Sequence, residues 1–211
     1  MYVPATPAPP APSVDPAGFL SMAPPTIEAA ASTRLEIHRE RLNVLAGEDA
    51  SVMGALQPAV AGRVVNLQVL GSRGWRTVAD SHTGPSGGFT LNYFPQRPVS
   101  EQARLRFGGD GLGLASRRRL GALNVFRLAG ASWYGGGGSL ACGGWLTSST
   151  MGVANKTLPC GTLVTLRYDG RTVRVPVVDR GPFVAGREFD LTEATKQALG
   201  FGGTGEVWST R

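Results

Sequence analysis

Short runs in which apolar and polar residues alternate dominate the chain between residues 35 and 127. In RVVNLQVL (63–70), every second residue from Val65 to Val69 is apolar and the residues between them are polar, as a half-buried strand requires. Seven such runs are separated by turn-forming segments such as GSRG (71–74) and GPSGG (84–88). Regularly spaced short strands predict a β-sandwich over residues 35–127.

A second set of strand-like runs begins at about Leu128. The runs are GASWYG, TLVTLRY, RTVRVPVVD, REFDL and GEVWST. Between the last two, Thr192–Leu199 predicts one short helix, with Thr192 as its N-cap and Gly200 closing it. The pattern predicts a small closed β-barrel with one helix over residues 128–211.

The composition agrees with an all-β fold and indicates a linker at the start of the chain. The 30 glycines and 15 prolines favour turns and short strands, and 42% hydrophobic residues are enough for packed cores. Residues 1–34 are instead dominated by proline and alanine, which predicts an extended spacer without a core of its own. The predicted order is therefore linker, sandwich and barrel.

The net charge is +6, which favours anionic partners but equally fits a soluble, arginine-rich surface. We expect no nucleic-acid partner, because the sequence lacks a dense Lys/Arg run or a basic stripe interleaved with aromatic residues.

The chain begins without a signal-peptide pattern, and no stretch approaches the ~20 apolar residues that span a bilayer, so we expect no membrane span. The Pro/Ala-rich start is nevertheless typical of a tether that follows an export signal. We therefore expect an extracytoplasmic protein, secreted or associated with the cell wall.

The two cysteines, Cys142 and Cys160, are eighteen residues apart in the predicted barrel. An even count and a tether-like start favour a disulfide, which would contribute roughly 3 kcal/mol in the chain-entropy model. Two buried free thiols are the alternative. We expect no metal site and no cofactor, since there is no CxxC pair and both histidines lie outside the barrel.

Several motifs of the second region, in this order, resemble one family. They are ASWYG (131–135), NKTLPCGT (155–162), VVDRGPF (177–183), REFDLT (187–192), ATKQALGF (194–201) and GEVWS (205–209). Together they resemble the double-psi β-barrel of the rare lipoprotein A (RlpA)-like proteins, related in outline to expansins and barwin. This implies a six-stranded barrel. The preceding sandwich is similar to bacterial Ig-like repeats, without their intersheet disulfide, because it has no cysteine.

The resemblance implies action on peptidoglycan glycan strands, with other wall or septal proteins as further candidate partners. RlpA relatives are lytic transglycosylases, whereas expansin relatives bind and loosen wall polysaccharide with little or no hydrolysis. A lytic transglycosylase can work with one acid/base group, because a hydroxyl of the substrate is the nucleophile; a hydrolase needs a second carboxylate.

Two aspartates match the acids of these families. Asp190 matches the aspartate of the expansin-type FD motif, and Asp179 matches that of the DRGPF motif. We expect Asp190 to be the general acid/base and Asp179 to assist it. The alternative for Asp179 is structural: it caps the following loop or pairs with Arg180 or Arg187.

Six residues are candidates for binding the glycan. The aromatic ones could stack on sugar rings, the arginines could contact carboxylates, and the amide could hydrogen-bond a sugar; they are Tyr134, Trp145, Phe183, Arg180, Arg187 and Asn155.

The sequence also departs from the family. Asn155 occupies the position of the histidine that precedes KTLP, and no acidic residue lies between Trp133 and Tyr168, where active relatives tend to carry a glutamate. Asn155 cannot titrate near neutral pH. These departures favour, as the main alternative, a non-catalytic, expansin-like wall-binding protein. An adhesion protein whose barrel contacts other proteins is a third hypothesis.

Overall fold

The computed structural model describes residues 30–211, so the linker predicted over residues 1–34 lies almost entirely outside the described residues. Apart from one short helix, the regular secondary structure of the described part is β. Its strands are β1 Arg34–Arg41, β2 Asn43–Leu45, β3 Ala50–Gln57, β4 Val64–Gly71, β5 Gly74–His82, β6 Gly88–Tyr93, β7 Val99–Phe107, β8 Ser116–Tyr134, β9 Gly138–Ser139, β10 Trp145–Leu146, β11 Val153–Ala154, β12 Leu163–Tyr168, β13 Arg171–Asp179, β14 Phe189–Thr192 and β15 Gly205–Ser209. One helix, α1 Glu193–Leu199, precedes β15.

The first half is a sandwich of two sheets around one core. One sheet has the order β1-β3-β6, and the other has the order β5-β4-β7-β8, with β2 pairing parallel to β8. Side chains from both sheets fill the core, among them Val52, Phe89, Leu67 and Leu105. The classification of this sandwich as Ig-like stays a prediction.

Strand β1 has no counterpart among the seven predicted strands. Its sequence, RLEIHRER, is rich in charged residues, and only Leu35 is buried. The segment forms a strand because it pairs with β3. Its own apolar pattern is too weak to predict one.

The second half is a closed barrel of six strands. Around the barrel the order is β8, β14, β11, β13, β12 and β15, and β15 pairs with β8 to complete the ring. Two of the pairings, β8–β14 and β11–β13, are parallel and the others are antiparallel. A separate apolar core fills the barrel, including Phe189, Leu191, Val164 and Leu166. The all-β fold with a six-stranded barrel and one short helix is confirmed.

Strand β8 joins the two halves. Its beginning pairs with β7 in the sandwich, and its end pairs with β14 and β15 in the barrel. The predicted boundary between residues 127 and 128 therefore falls inside one continuous strand, because LGALNVFRLAGASWY contains no proline or turn sequence that would interrupt it. The division into domains stays a prediction.

Helix α1 ends as predicted, but it does not begin with the predicted side-chain cap. Gly200 adopts a left-handed conformation with φ 70° and closes the helix. Thr192 makes no capping hydrogen bond. Its hydroxyl donates to the carbonyl of Gly152 at 3.1 Å instead, and the hydroxyl of Thr195 donates to the same carbonyl at 2.9 Å. Within residues 30–211, no helix is long and apolar enough to cross a membrane.

Candidate functional site

Strand register places the two candidate aspartates on either side of one short strand. Ala154, on β11, is the register partner of Asp190 on β14 and of Asp179 on β13. Neighbouring strands lie about 4.8 Å apart, so the two aspartate Cα atoms are separated by about 10 Å. Residues far apart in the sequence are thus brought into one row, which continues through Asp190 to Ser132 on β8.

Asp190 lies between two core residues of its strand. Phe189 and Leu191 are fully buried, so the side chain of Asp190 points away from the barrel interior and is half-buried. The hydroxyl of Ser132 donates a hydrogen bond to Oδ1 of Asp190. Within residues 30–211, no other donor bonds this carboxyl group, so Oδ2 is free to face a ligand.

Asp179 has a different environment. Its Oδ1 accepts hydrogen bonds from the backbone N–H of Ala141 at 2.9 Å and of Arg180 at 2.8 Å. Among the described residues, its carboxylate forms no ion pair with Arg180 or Arg187. The carboxylate ties the segment 139–146 to the end of β13, which supports the loop-capping alternative. A catalytic part for Asp179 stays a prediction.

Both candidate aspartates influence the pKa of Tyr134. Burial raises the pKa of its phenol well above the ordinary range, and the neighbouring carboxylate of Asp179 and the more weakly acting Asp190 raise this pKa further. The hydroxyl is buried, and although Asp179 is close, it has no hydrogen-bond partner of normal geometry in the described chain. Tyr134 therefore stays a neutral phenol with an unused O–H beside the candidate acids.

Asn155 and Arg180 hold the loop that follows β11. Oδ1 of the buried Asn155 accepts from the backbone N–H of Thr157 at 3.0 Å and of Leu158 at 2.9 Å, and its amide nitrogen donates to the carbonyl of Glu188 at 3.1 Å. The guanidinium of Arg180 donates to the carbonyl of Leu158 at 2.9 Å and contacts the sulfur of Cys160 at 3.1 Å.

These bonds occupy most of the polar groups of both side chains. To contact a sugar, Asn155 would have to exchange a bond that holds its own loop. The predicted part of Asn155 and Arg180 in glycan binding stays a prediction, and their observed bonds are those of loop supports.

The predicted disulfide is confirmed. Cys142 and Cys160 are bonded, with their Cα atoms 5.5 Å apart, so neither is a free thiol. The bond joins the segment that carries Trp145 to the loop that Asn155 and Arg180 hold. It therefore braces two loops beside Asp179.

The remaining candidates are exposed or lie to one side. Trp145 is 63% exposed on the short hairpin of β9 and β10, and Phe183 is 83% exposed in the loop after β13. Arg187 is half-buried and lines a cavity of about 410 Å³, next to Lys156 and Arg211. The two aromatic rings are free to contact a ligand, and Arg187 adds positive charge to an adjoining surface.

Two features escaped the sequence analysis. Ser132 bonds the candidate acid, and its place in ASWYG next to REFDL becomes meaningful only once β8 and β14 are known to pair. Its place on a predicted strand favours a core position for Trp133, but Trp133 is 40% exposed, and the ammonium group of Lys196 on α1 lies 3.8 Å from its ring centroid.

Comparison with known proteins identifies the barrel. Residues 128–208 match the family model described as lytic transglycolase. The chain is 44% identical over 75 residues to the probable endolytic peptidoglycan transglycosylase RlpA of Aquifex aeolicus, a match that covers 33% of each protein. It is 41% identical over 76 residues to the endolytic peptidoglycan transglycosylase RlpA of Neisseria meningitidis, covering 34% of this chain and 32% of that protein. The region from Leu128 to Trp208 is thus an RlpA-like double-psi β-barrel.

The matches cover only part of each protein. The matched part spans about a third of the length of these relatives. Among solved structures, Streptomyces papain inhibitor aligns with a TM-score of 0.34 and 28% identity, covering 40% of this chain and 91% of that one.

Proposed function

We propose that this protein cleaves peptidoglycan glycan strands by lytic transglycosylation, with Asp190 as general acid/base, in an extracytoplasmic location at the cell wall. The observation that carries the proposal is the row from Ser132 through Asp190 to Asp179, which places both family aspartates beside Tyr134 in an RlpA-like barrel. The family match and the RlpA relatives support the substrate class.

In this mechanism, protonated Asp190 donates its proton to the glycosidic oxygen that leaves C1 of the muramyl residue. The resulting carboxylate then accepts the proton of the C6 hydroxyl of the same residue as that oxygen attacks C1. One C–O bond breaks, a new one closes the 1,6-anhydro ring, and no water is consumed. The Ser132 hydroxyl orients the carboxyl group through Oδ1, which leaves Oδ2 for the proton transfer.

Tyr134 has a separate part in the proposal. Its phenol stays neutral, so its O–H can donate to a substrate oxygen or to Asp179, but it cannot serve as a base at neutral pH. Trp145 and Phe183 supply exposed rings against which sugar faces can stack.

Digestion of purified sacculi tests the catalytic proposal. Intact and peptide-stripped sacculi are incubated with the full chain, and soluble products are analysed by mass spectrometry for anhydromuramyl ends. Asp190→Asn should lower product formation at least about 100-fold, since a general acid/base contributes about 10²–10⁴-fold. The matched control is Asp169→Asn, in the turn between β12 and β13, where φ is 43° and asparagine is well tolerated.

Products that persist in Asp190→Asn would show that another group is the acid. Equal loss in Asp169→Asn would trace the effect to folding instead of chemistry.

A non-catalytic wall-binding function is the second candidate. It is favoured by Asn155, which replaces the family histidine and is buried in loop-supporting hydrogen bonds, and by the exposed Trp145 and Phe183. Sedimentation of the protein with sacculi in the absence of any anhydromuramyl product would support this function. Trp145→Ala and Phe183→Ala should then release the protein into the supernatant.

A further inference from the structure

The outer face of the larger sandwich sheet carries two rows of arginines in direct cross-strand register. Arg104 on β7 is paired with Arg119 on β8, and Arg106 on β7 is paired with Arg117 on β8. Strands are about 4.8 Å apart and alternate residues about 6.7 Å apart, so the four Cα atoms mark a rectangle of about 5 by 7 Å. We call these four residues the arginine grid.

The grid is electrostatically unfavourable in the isolated protein. Like charges placed directly opposite each other on neighbouring strands destabilise a sheet. Within residues 30–211, none of the four guanidinium groups lies within ion-pair distance of a carboxylate. Partial burial, followed by the charges of Arg117 and Arg106, lowers the pKa of Arg104 below its ordinary value.

One member of the grid is held in a fixed orientation. Nε of Arg104 donates to Oε1 of Gln68 at 2.9 Å, and Gln68 is itself held by a 3.1 Å bond to the hydroxyl of Thr77. The guanidinium also lies 3.9 Å from the ring centroid of Trp75. These contacts leave the terminal nitrogens of Arg104 available and reduce the entropy that binding would cost.

Protection of a sheet edge explains only part of this arrangement. Charged residues on an edge strand prevent association with other strands, and β8 is an edge at Arg117 and Arg119. Arg104 and Arg106, however, lie on β7, which is paired on both sides by β4 and β8. An internal strand needs no such protection, so the second pair of charges requires another explanation.

We propose that the arginine grid binds a linear polymer of phosphodiester-linked alditol units. A guanidinium matches a phosphate with two parallel hydrogen bonds, and the two rows offer positive charge at successive steps of about 7 Å, which suits a chain with one phosphate in each short repeat. Proteins bind single-stranded nucleic acid by stacking its bases on aromatic rings. Arg104 covers the ring of Trp75, so this ring does not offer a base such a surface. The inference concerns the sandwich and does not depend on the reaction proposed for the barrel.

The test measures binding of the full chain to synthetic poly(glycerol phosphate) of defined length over a series of salt concentrations. Arg106→Gln/Arg117→Gln should weaken binding and lower the slope of log affinity against log salt by about 1.5 to 2. The control, Arg39→Gln/Arg174→Gln, removes the same charge from exposed positions on β1 and β13 and should leave that slope unchanged.

Two further measurements keep the proposal open to refutation. The melting temperature of Arg106→Gln/Arg117→Gln should equal or exceed that of the wild type, because one directly opposed pair of like charges is removed. Arg104→Lys, which keeps the charge and loses the fork, should also weaken binding. The proposal is overturned if the control weakens binding equally, or if the unaltered protein prefers anionic phospholipid vesicles or single-stranded DNA to the polymer.

Discussion

Gly152 immediately precedes β11, the short strand that lies between the two candidate aspartates. A Cβ atom at this position would lie 2.5 Å and 2.7 Å from the two γ-carbons of Val178 and 3.1 Å from its β-carbon. Val178 adjoins Asp179, so the contact lies within the site row. The backbone of Gly152 is not in the left-handed region, and the predicted effect of Gly152→Ala is therefore purely steric.

The clash cannot be relieved by a small local movement. Val178 is β-branched, and rotation about its χ1 cannot clear the new methyl group, since both γ-carbons and the β-carbon are too close. Gly152 cannot easily withdraw either, because the hydroxyls of Thr192 and Thr195 hold its carbonyl at 3.1 Å and 2.9 Å. Overpacking of this kind costs about 1–3 kcal/mol. For a barrel of this size, that is a fall in melting temperature of about 4–24 °C.

Differential scanning calorimetry of the full chain, together with urea unfolding followed by circular dichroism, measures the effect. The companion variant is Val178→Ala, which removes both γ-carbons. The double variant should recover most of the stability lost in Gly152→Ala, so the two substitutions should be strongly non-additive. An unchanged melting temperature in Gly152→Ala, or additive losses in the double variant, would refute the steric argument.

Three other outcomes are expected. Cys142→Ser/Cys160→Ser should lower the free energy of unfolding by roughly 3 kcal/mol in urea titrations, and a reductant should have the same effect on the wild type but none on the variant. Asn155→His should lower the free energy of unfolding by about 1–3 kcal/mol, because the two backbone N–H groups that donate to Oδ1 lose this acceptor. A gain of anhydromuramyl products without loss of stability would contradict the loop-support role. Tyr134→Phe should leave stability at pH 7 unchanged or slightly raised, since the hydroxyl is buried without a partner of normal geometry. Folding raises the pKa of Tyr134, so its ionisation should not change the free energy of unfolding below about pH 10 and should lower it as the pH rises further. When unfolding is measured between pH 8 and pH 11, this decline should be smaller in Tyr134→Phe than in the wild type.

The arginine grid and Tyr134 share one physical feature. In each, polar groups are held where the isolated fold gains nothing from them: like charges face each other in the grid, and a buried hydroxyl lacks a partner of normal geometry at Tyr134. Such local conflicts are expected where a ligand completes the interactions. This is why substitutions at both places are expected to keep or raise stability.

Much of the fold could be predicted from the sequence. Alternation of apolar and polar residues identified most strands, because burial of one face of a strand imposes a period of two. Two cysteines in a small barrel indicated the disulfide, and Gly200 indicated the end of the helix through its left-handed conformation. Motifs in a fixed order indicated the RlpA-like barrel, since each motif forms a particular strand or loop of that fold.

The tertiary structure decided what no local pattern encodes. Strand β8 runs through both halves because β7, β14 and β15 supply its hydrogen-bond partners, and those partners are remote in the sequence. The site also depends on remote pairings, because only the pairing of β11 with both β13 and β14 brings Asp179 and Asp190 to either side of Ala154. Only the folded loop shows that the side chain of Asn155 is hydrogen-bonded to the backbone. Side-chain type is a property of the sequence, whereas the neighbours that fix its chemistry are set by strand register.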